Sequence, residues 1–343
     1  MPGRHRLRFR IGVGLVVAAH VVILFAGFFA PYGYANQNRA FPLAPPVRLH
    51  LVDAQQRIHL RPFVYKLRHR PGTFNEYEED RTATFPVRLF VADEKTSGWG
   101  IRSSRLHLFG IDAPAQIFLA GTDGYGRDEF SRLLFGGQIS LFAGLLGAAI
   151  SLSLGTLLGA FAGYLGAWVD DTIMAVCEIF LCVPWLYLLL AVRSLLPLHI
   201  EANAVFLLLI ALLGLFGWPR PARLLRGVVL SAKKRDYVTA ARGFGASNFY
   251  LLRRHILPSA AGVLVTQTAL YVPQYVLAEV TLSFFGLGVS EPEPSWGNML
   301  AALQQGYVLE SCWWMFAPAA ALIVMFLAYH QILSRHAPDA PQI

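Results

Sequence analysis

The sequence is short of charge and cysteine, and each shortage excludes a class of protein. Charged residues make up 15% of the 343 residues and hydrophobic residues 55%, which excludes an ordinary soluble protein. The three cysteines, Cys177, Cys182 and Cys312, do not have the spacing of a disulfide framework or a metal site. No Gly-x-x-x-x-Gly-Lys-Ser/Thr phosphate loop occurs, which excludes an ATPase built on that loop.

Enzyme and nucleic-acid-binding signals are also missing. Neither His-Glu-x-x-His nor Gly-x-Ser-x-Gly occurs, so we predict that the chain is not an enzyme and holds no metal or cofactor of its own. A membrane-embedded enzyme would need a convergent catalytic cluster, and the sequence offers none. The net charge of +8 comes from basic residues beside apolar segments or in one long loop, without interleaved aromatic residues. We therefore predict no nucleic-acid partner.

Long apolar runs are what the sequence has in abundance. A helix needs about 20 apolar residues to cross a bilayer core of ~30 Å. The first run follows RHRLRFR, but it is too long for a signal peptide and no small-residue cleavage site follows, so we expect a retained anchor. The fold class predicted is an all-α polytopic membrane protein with six transmembrane helices. These lie at about 11–30, 139–166, 172–196, 203–219, 260–288 and 312–333.

The distribution of charge predicts the orientation of these spans. Four arginines before Ile11 place the N-terminus in the cytoplasm by the positive-inside rule. Alternation of six spans then places 220–258 on the same side, and this segment is strongly basic, with Asp236 as its only acid. The short loop 289–311 carries three Glu and no Lys or Arg, as an external loop should. The C-terminal tail, 336–343, is predicted to be cytoplasmic.

Residues 32–120 form an insert between the first two spans that is too long for a simple connection. Asp53-Ala54-Gln55-Gln56 is a plausible hairpin turn within it, whereas Pro71-Gly72 and the acidic stretch 76–80 predict an irregular crossing. We predict a small, β-rich external subdomain. Its strands are indicated by period-two alternation of apolar and polar residues at 47–52, 57–68, 86–93 and 104–109.

Two further segments carry local signals beside the spans. In GTDGYGRDEFSRLLFGG (121–137) the pairs Asp123–Arg127 and Asp128–Arg132 have i, i+4 spacing, which predicts a short amphipathic helix at the external membrane face. In 276–300, glycines followed by two X-Pro steps predict the end of a helix and an irregular external loop, with Trp296 as an interfacial anchor.

Three residues inside apolar spans are candidates for a solute pathway. Glu178 and Glu279 are acids in apolar runs, where a carboxylate is costly unless it faces protein or water. Glu178 has a second interpretation, in which it lies at interfacial depth and reaches the headgroups. Pro273 predicts a kink in its span, as found along transport pathways.

Three segments resemble those of one family, the bacterial ABC importer permeases. TAARGFGASNFYLLRRHILP (239–258) resembles their EAA loop, and 121–132 and 286–297 resemble signatures of the dipeptide, oligopeptide and nickel branch. The EAA-type residues are Thr239, Ala240, Ala241, Gly245, His255, Leu257 and Pro258. The first signature comprises Gly121, Thr122, Asp123, Gly126, Arg127, Asp128, Ser131 and Arg132. The second comprises Gly286, Gly288, Pro294, Ser295, Trp296 and Gly297.

This resemblance implies the type I ABC importer permease fold and uptake of di- or oligopeptides or similar small solutes, with nickel or another non-peptide solute as the alternative. Implied partners are a second, homologous permease subunit, two cytoplasmic ATPases that bind ATP and Mg, an external solute-binding protein and the bacterial inner membrane. The EAA segment would couple to the ATPases, and both signatures would face the binding protein. The implied domains are 1–31 (N-terminus and first helix), 32–120 (external insert), 121–335 (permease core) and 336–343 (cytoplasmic tail).

Two departures and one rival remain at the level of sequence. Thr239 stands where the family often has Glu, so no salt bridge to an ATPase can form there, and the tail HQILSRHAPDAPQI lacks the family's usual ending. In the rival interpretation the chain is a channel or secondary transporter outside the ABC family. Its basic segment 220–258 would then only fix the topology.

Overall fold

The computed structural model of the chain describes residues 2–70, 72–73, 76–92, 106–194 and 201–333. Its residues fall into two compact units, each assembled from separate parts of the chain. The first unit comprises Met1–Val16, Leu141–Leu282 and Met325–Ile343. The second unit comprises Val17–Ser140 and Ser283–Val324. The predicted cytoplasmic tail, 336–343, lies outside the described residues.

Helices make up most of the described chain. Before the second long helix come α1 (Pro2–Leu24) and α2 (Ala26–Phe29). The central helices are α3 (Glu129–Leu165), α4 (Ala167–Cys182), α5 (Trp185–Ser194), α6 (Ala202–Gly217), α7 (Pro219–Lys233), α8 (Asp236–Gly243) and α9 (Asn248–Leu251). A π-helical turn (Leu252–Ile256) leads into α10 (Leu257–Ser259) and α11 (Ala261–Phe284). The last are α12 (Trp296–Ala301), α13 (Gly306–Ser311) and α14 (Ala317–Leu333).

Three of these helical segments are long and apolar enough to cross a membrane: Leu7–Leu24, Glu129–Leu165 and Trp313–Leu333. Two bent pairs, α6 with α7 and the 248–259 helix with α11, would raise the number to five, and their bends are 40° and 59°. The predicted span 172–196 is not one helix, because it divides between Cys182 and Trp185 at Pro184, where α4 ends. The last residues of that span, 195–196, lie outside the described residues.

The second long helix starts ten residues before its predicted span. α3 begins at Glu129, so residues 129–137 of the segment 121–137 are its opening turns. The short, separate amphipathic helix predicted there is wrong. The i, i+4 spacing of its charged pairs is compatible with a helix, but Asp123 and Arg127 belong to a turn that precedes α3. The irregular loop predicted after Gly288 is also partly wrong, because α12 and α13 form within it.

Between α2 and α3 the described chain forms five strands in two antiparallel sheets. The strands are β1 (His50–Val52), β2 (Ile58–His69), β3 (Tyr77–Pro86), β4 (Arg88–Ala92) and β5 (Leu106–Gly110). One sheet has the order β1-β2-β3, and β4 pairs with β5 in the other. The turn at 53–57 joins β1 to β2 as the sequence predicted, and Asp53 accepts backbone hydrogen bonds from Gln55 and Arg57. Of the predicted strands, 93 and 104–105 lie outside the described residues.

Glu78, Glu79 and Asp80 of the acidic stretch belong to strand β3, and Glu76 directly precedes it, so the irregular crossing predicted at these acids is wrong. Pro71, the other part of that prediction, lies outside the described residues. Two of these carboxylates have basic partners on the other strands of the sheet. Arg68 of β2 donates to Glu78 at 2.8 Å, and His50 of β1 lies 3.0 Å from Glu79. These cross-strand pairs explain why an acidic segment with low strand propensity still joins a sheet. The sheet buries Val64 and Leu67 against Ala44 and Phe118 of the flanking loops.

In the first unit, glycines of α3 permit close packing against α7. Gly155, Gly159 and Gly163 recur every four residues, and a Cβ at Gly159 would overlap the backbone of Ala222. Such small-residue spacing lets helix backbones approach closely. α7 itself has one buried face, made of Ala222, Leu225, Val229 and Ala232, with basic residues on its other sides. This pairing places α7 firmly against a long apolar helix.

Candidate functional site

The first signature forms a tight turn that precedes α3. The Asp123 carboxylate accepts hydrogen bonds from the backbone N–H groups of Tyr125 (2.8 Å) and Arg127 (2.9 Å) and thereby closes the turn. Gly126 has a φ of +72°, and any Cβ there would collide with the carbonyl of Asn38. This position therefore requires glycine on two grounds, backbone conformation and space.

Thr122 fastens this turn to the rest of the second unit. Its hydroxyl donates to the carbonyl of Phe41 (2.6 Å) and accepts from the N–H of Ala44 (2.7 Å). Its carbonyl accepts from the indole N–H of Trp314 (3.0 Å). Thr122 is fully buried, so all three bonds are protected from water. The Thr in the signature thus has a structural role.

Two buried arginines link the two signatures through one carboxylate. Arg127 donates from Nε to Asp123 (2.6 Å), and its other guanidinium nitrogens bond Glu291. Arg132 donates from Nη2 to the same Glu291 at 2.8 Å. The arginine side chains are 5% and 2% exposed, so their charges are buried and need these partners. The predicted Asp123–Arg127 pair is confirmed, but Arg132 pairs with Glu291 and not with Asp128 as predicted.

Asp128 instead caps the start of α3. Its Oδ2 accepts from the backbone N–H (2.8 Å) and the hydroxyl (2.6 Å) of Ser131. Burial raises the pKa of Asp128 from its ordinary value of 3.8 to about 7, despite the lowering effect of those hydrogen bonds. A cavity of about 280 Å³ adjoins this network and is lined in part by Asp123, Arg127, Arg132 and Glu291.

The second signature is organised by a capped helix. Ser295 accepts from the N–H of Asn298, whose side chain returns a bond to the N–H of Ser295, forming a capping box at the start of α12. Trp296 is buried, and its indole N–H donates to the carbonyl of Leu133 in α3 at 2.9 Å. The prediction of Trp296 as an interfacial anchor is therefore wrong, because its ring packs inside the protein and joins α12 to α3.

The EAA-type segment in the first unit is a compact group of short helices. Thr239, Ala240 and Ala241 lie on α8, and Gly245 follows the end of α8 with a φ of +84°. The N–H of Ala246 donates to the carbonyl of Ala241 at 3.1 Å, as in a glycine-terminated helix end. The space beside Gly245 is open, since no atom lies within 4 Å of a Cβ built there.

Buried apolar side chains hold this segment to α3 and α7 in one cluster, which contains Ala160, Tyr164, Val229, Ala232, Val238, Leu251 and Ile256. Tyr164 is central. Its carbonyl accepts from Lys233 Nζ (2.6 Å) and its hydroxyl contacts the Asn248 side chain (2.5 Å). The segment is thus fixed to the end of a long helix.

The exposed side of the segment is an open groove of about 540 Å³. Its lining residues are Ala241, Phe244, Gly245, Ala246, Ser247, Tyr250 and His255. Phe244 is 92% exposed, which is unusual for a phenylalanine. The His255 ring packs beside Tyr237 and Tyr250, with centroid distances of 6.0 and 5.6 Å. Leu257 and Pro258 lie farther along, in α10.

Two ion pairs join α7 to α4. Arg226 donates from Nε and Nη2 to the two carboxylate oxygens of Asp170, at 2.5 and 2.6 Å. One helical turn away, Arg223 donates to Glu178 at 3.1 Å. Glu178 therefore has a basic partner on α7. Its side chain is exposed within the single chain, whereas Glu279 on α11 is completely buried.

Pro273 lies within α11, which runs from Ala261 to Phe284 as one helix. The 59° bend of this region comes earlier, between Ser259 and Ala261. A role for Glu178, Pro273 and Glu279 along a solute pathway stays a prediction. Sequence reasoning missed Glu291 and Tyr164 as organising residues. Glu291 had one visible signal, an acid in a Pro-rich loop beside the second signature.

Comparisons with known proteins agree on one family. The family model described as "binding-protein-dependent transport system inner membrane component" matches residues 155–339. A Brucella suis protein that carries the name of a peptide permease is 37% identical over 221 residues, which span 64% of this chain and 71% of that protein. A dipeptide transport system permease protein of Bacillus subtilis is 36% identical, spanning 61% of this chain and 64% of that protein.

A third relative is a glutathione transport system permease protein of Pectobacterium atrosepticum, 34% identical, spanning 64% of this chain and 70% of that protein. Among solved structures, a chain of the inward-facing MetNI methionine ABC transporter is 20% identical, with a TM-score of 0.43. That alignment covers 58% of this chain and 89% of the other.

Proposed function

Because this chain belongs to the family of binding-protein-dependent transport system inner membrane components, we propose that it is the membrane-spanning subunit of an ATP-driven importer of di- or oligopeptides. Family membership, with the long apolar helices, makes it a membrane permease. The observation that carries the peptide assignment is that three relatives at 34–37% identity are named for peptide, dipeptide and glutathione transport. Glutathione is itself a tripeptide, so these names share one solute class.

We infer that the groove around Gly245 is where an ATPase subunit docks. The groove is open, it exposes Phe244 and Tyr250, and its floor is held to α3 and α7 by buried apolar contacts. Aromatic side chains contribute strongly to binding at protein interfaces, and here they lie on a segment that is packed firmly against long helices. Movement of a docked ATPase would be transmitted from the groove to α3 through Tyr164 and to α4 through the Arg226–Asp170 pair.

The two signatures are proposed to form the external surface that receives the solute-binding protein. Their support is the buried network of Arg127, Arg132 and Glu291, which makes two chain segments one rigid element. The hairpin of β1 and β2 adds exposed Leu51, Ile58 and Leu60 to the same unit. The proposed assembly contains a second, homologous permease, two cytoplasmic ATPases that bind ATP and Mg, and the binding protein, in the type I arrangement of six spans per permease.

The test is ATP-driven uptake by the assembled importer in proteoliposomes, with labelled di- and tripeptides and with Ni²⁺ as solutes. We expect peptide accumulation that requires both ATP and the binding protein. Gly245→Arg should abolish uptake and co-purification of the ATPases, because a large charged side chain fills the groove.

Gly245→Ala is the matched control. It keeps the groove open and adds only the backbone strain of a left-handed alanine, about 1 kcal/mol. We expect it to retain most of the uptake. Normal ATPase association in Gly245→Arg would contradict the docking site. Accumulation of Ni²⁺ and not of peptide would contradict the solute class alone, and uptake without ATP would contradict the importer.

A further inference from the structure

Exposed apolar side chains are concentrated on the small β4–β5 sheet. Leu89 is 67% exposed, Phe90 61% and Leu106 42%, although each strand has only five residues. Scattered single apolar residues on a surface need no explanation, but a cluster on so small an element indicates an interaction surface.

This sheet is fixed to the short helix α2 and to the first turn of α3. The Phe90 ring lies 6.4 Å from that of Phe28 in α2, the short helix that follows the first apolar span. The buried His107 of β5 donates from Nδ1 to the carbonyl of Ala30 at 2.5 Å. Phe109 packs near Phe130 in the first turn of α3, with ring centroids 6.2 Å apart. The sheet therefore lies at the level where both helices end.

Phe90 is held in an unfavourable backbone conformation. Its φ is +56°, in the left-handed region that residues with a Cβ rarely adopt. Strain of this kind persists where function requires a particular side-chain placement. Here it accompanies an aromatic ring that is largely exposed beside Phe28.

We propose that the β4–β5 sheet is a membrane-surface element, whose Leu89, Phe90 and Leu106 side chains enter the lipid at the end of the first span. The sheet is continuous with the first span, because the apolar outer side of α1 extends through the exposed Phe25 and through Phe28 to Phe90. Aromatic side chains are favoured at this depth. The exposed Arg88–Asp112 pair, at 2.8 Å, supplies polar groups for the headgroup region. This inference requires only that the chain is a membrane permease and does not depend on its solute.

The experiment uses the full chain in the assembled importer, in phosphatidylcholine–phosphatidylglycerol proteoliposomes, with Cys177, Cys182 and Cys312 replaced by Ala. A single cysteine at Leu89 or Leu106 carries a small fluorophore. Quenching is measured with lipids brominated near the top of the acyl chain and with aqueous iodide. Val17→Cys, exposed on the first span, is the control for lipid contact, and Ala83→Cys, exposed on β3, is the control for water.

We expect the labels at Leu89 and Leu106 to behave like the label at Val17. Brominated lipid should quench them several-fold more strongly than the label at Ala83, and iodide should quench them little. Strong iodide quenching at both Leu89 and Leu106 would overturn the proposal in favour of a sheet exposed to water. Protection from both quenchers would overturn it in favour of a protein partner that covers the sheet. Uptake by each labelled variant at the parental rate establishes that the importer is intact, so either result is decisive.

Discussion

At the scale of single residues, Glu291 is the carboxylate on which the second unit depends. It satisfies two guanidinium groups that are almost fully buried, and these belong to a segment about 160 positions away in sequence. Leaving a buried charge without its partner costs several kcal/mol, whereas the net gain from the intact pair is small. The network therefore fixes which segments meet more than it adds to stability, which suits the docking surface proposed for this unit.

Asp128 supplies a prediction on pH. Its pKa is raised by burial to about 7, so the folded protein holds a proton between about pH 4 and 7 that the unfolded chain has released. This stabilising contribution is complete below about pH 4 and is lost as pH rises through about 7. Three pKa units correspond to at most about 4 kcal/mol. Asp128→Asn keeps an acceptor for Ser131 and cannot titrate. The thermal midpoint of the variant, relative to that of the parent, should therefore rise between pH 5 and 7.5.

The control for this measurement is Asp112→Asn, which removes an exposed aspartate on the same unit. Its midpoint should follow the parent at every pH. The prediction fails if the difference between the Asp128→Asn variant and the parent is constant from pH 5 to 7.5.

At the scale of elements, α7 is the part through which motion of the EAA-type segment would reach the spans. It packs on the glycines of α3 and is tied to α4 by the bidentate Arg226–Asp170 pair. Arg226→Gln should lower stability by about 1–2 kcal/mol, since this pair is partly buried. The expected readout is a several-fold lower uptake per ATP hydrolysed, with the ATPases still bound. Arg226→Lys should restore charge but not the two-pronged geometry, and so only part of the coupling.

The neighbouring Arg223→Gln variant is the matched control, because the Arg223–Glu178 pair is single and exposed. It should leave the ratio of uptake to hydrolysis within experimental error of the parent. Equal losses in the Arg223 and Arg226 variants would show that the ion pair to Asp170 has no special part in coupling.

The same elements show what sequence could and could not predict. The turn at 53–57 and the Asp123–Arg127 pair follow from local rules of turn chemistry and residue spacing. Strand β3 could not be predicted from its acidic sequence, because the basic partner of Glu78 is Arg68 on another strand, β2. Glu291 was missed for the same reason, since its arginines are distant in sequence. Pro184 was a visible signal that the span at 172–196 would break, and the length of the apolar run outweighed it.

At the scale of the whole molecule, the topology depends on the number of membrane spans and on their orientation. The described helices give three to five spans by length and composition, whereas the apolar runs predict six. When each bent pair is counted as one span, the difference lies in the predicted span 172–196, which is divided between α4 and α5, of 16 and 10 residues. At 1.5 Å per residue, 16 residues extend about 24 Å, so neighbouring residues outside the helix must complete the crossing.

A labelling experiment decides the orientation. Lys234 is exposed at the end of α7, whereas Lys233 is engaged with the carbonyl of Tyr164, so Lys234→Cys is the less disruptive probe. In a background without the native cysteines, we expect this thiol to react with a membrane-impermeant reagent in inside-out vesicles and not in intact cells, because the positive-inside rule predicts that the basic segment lies in the cytoplasm. Gln55→Cys, on the exposed β1–β2 turn, should behave in the opposite way. Reaction of the Lys234 thiol from outside intact cells would reverse the topology, and it would move the proposed ATPase groove to the wrong side of the membrane.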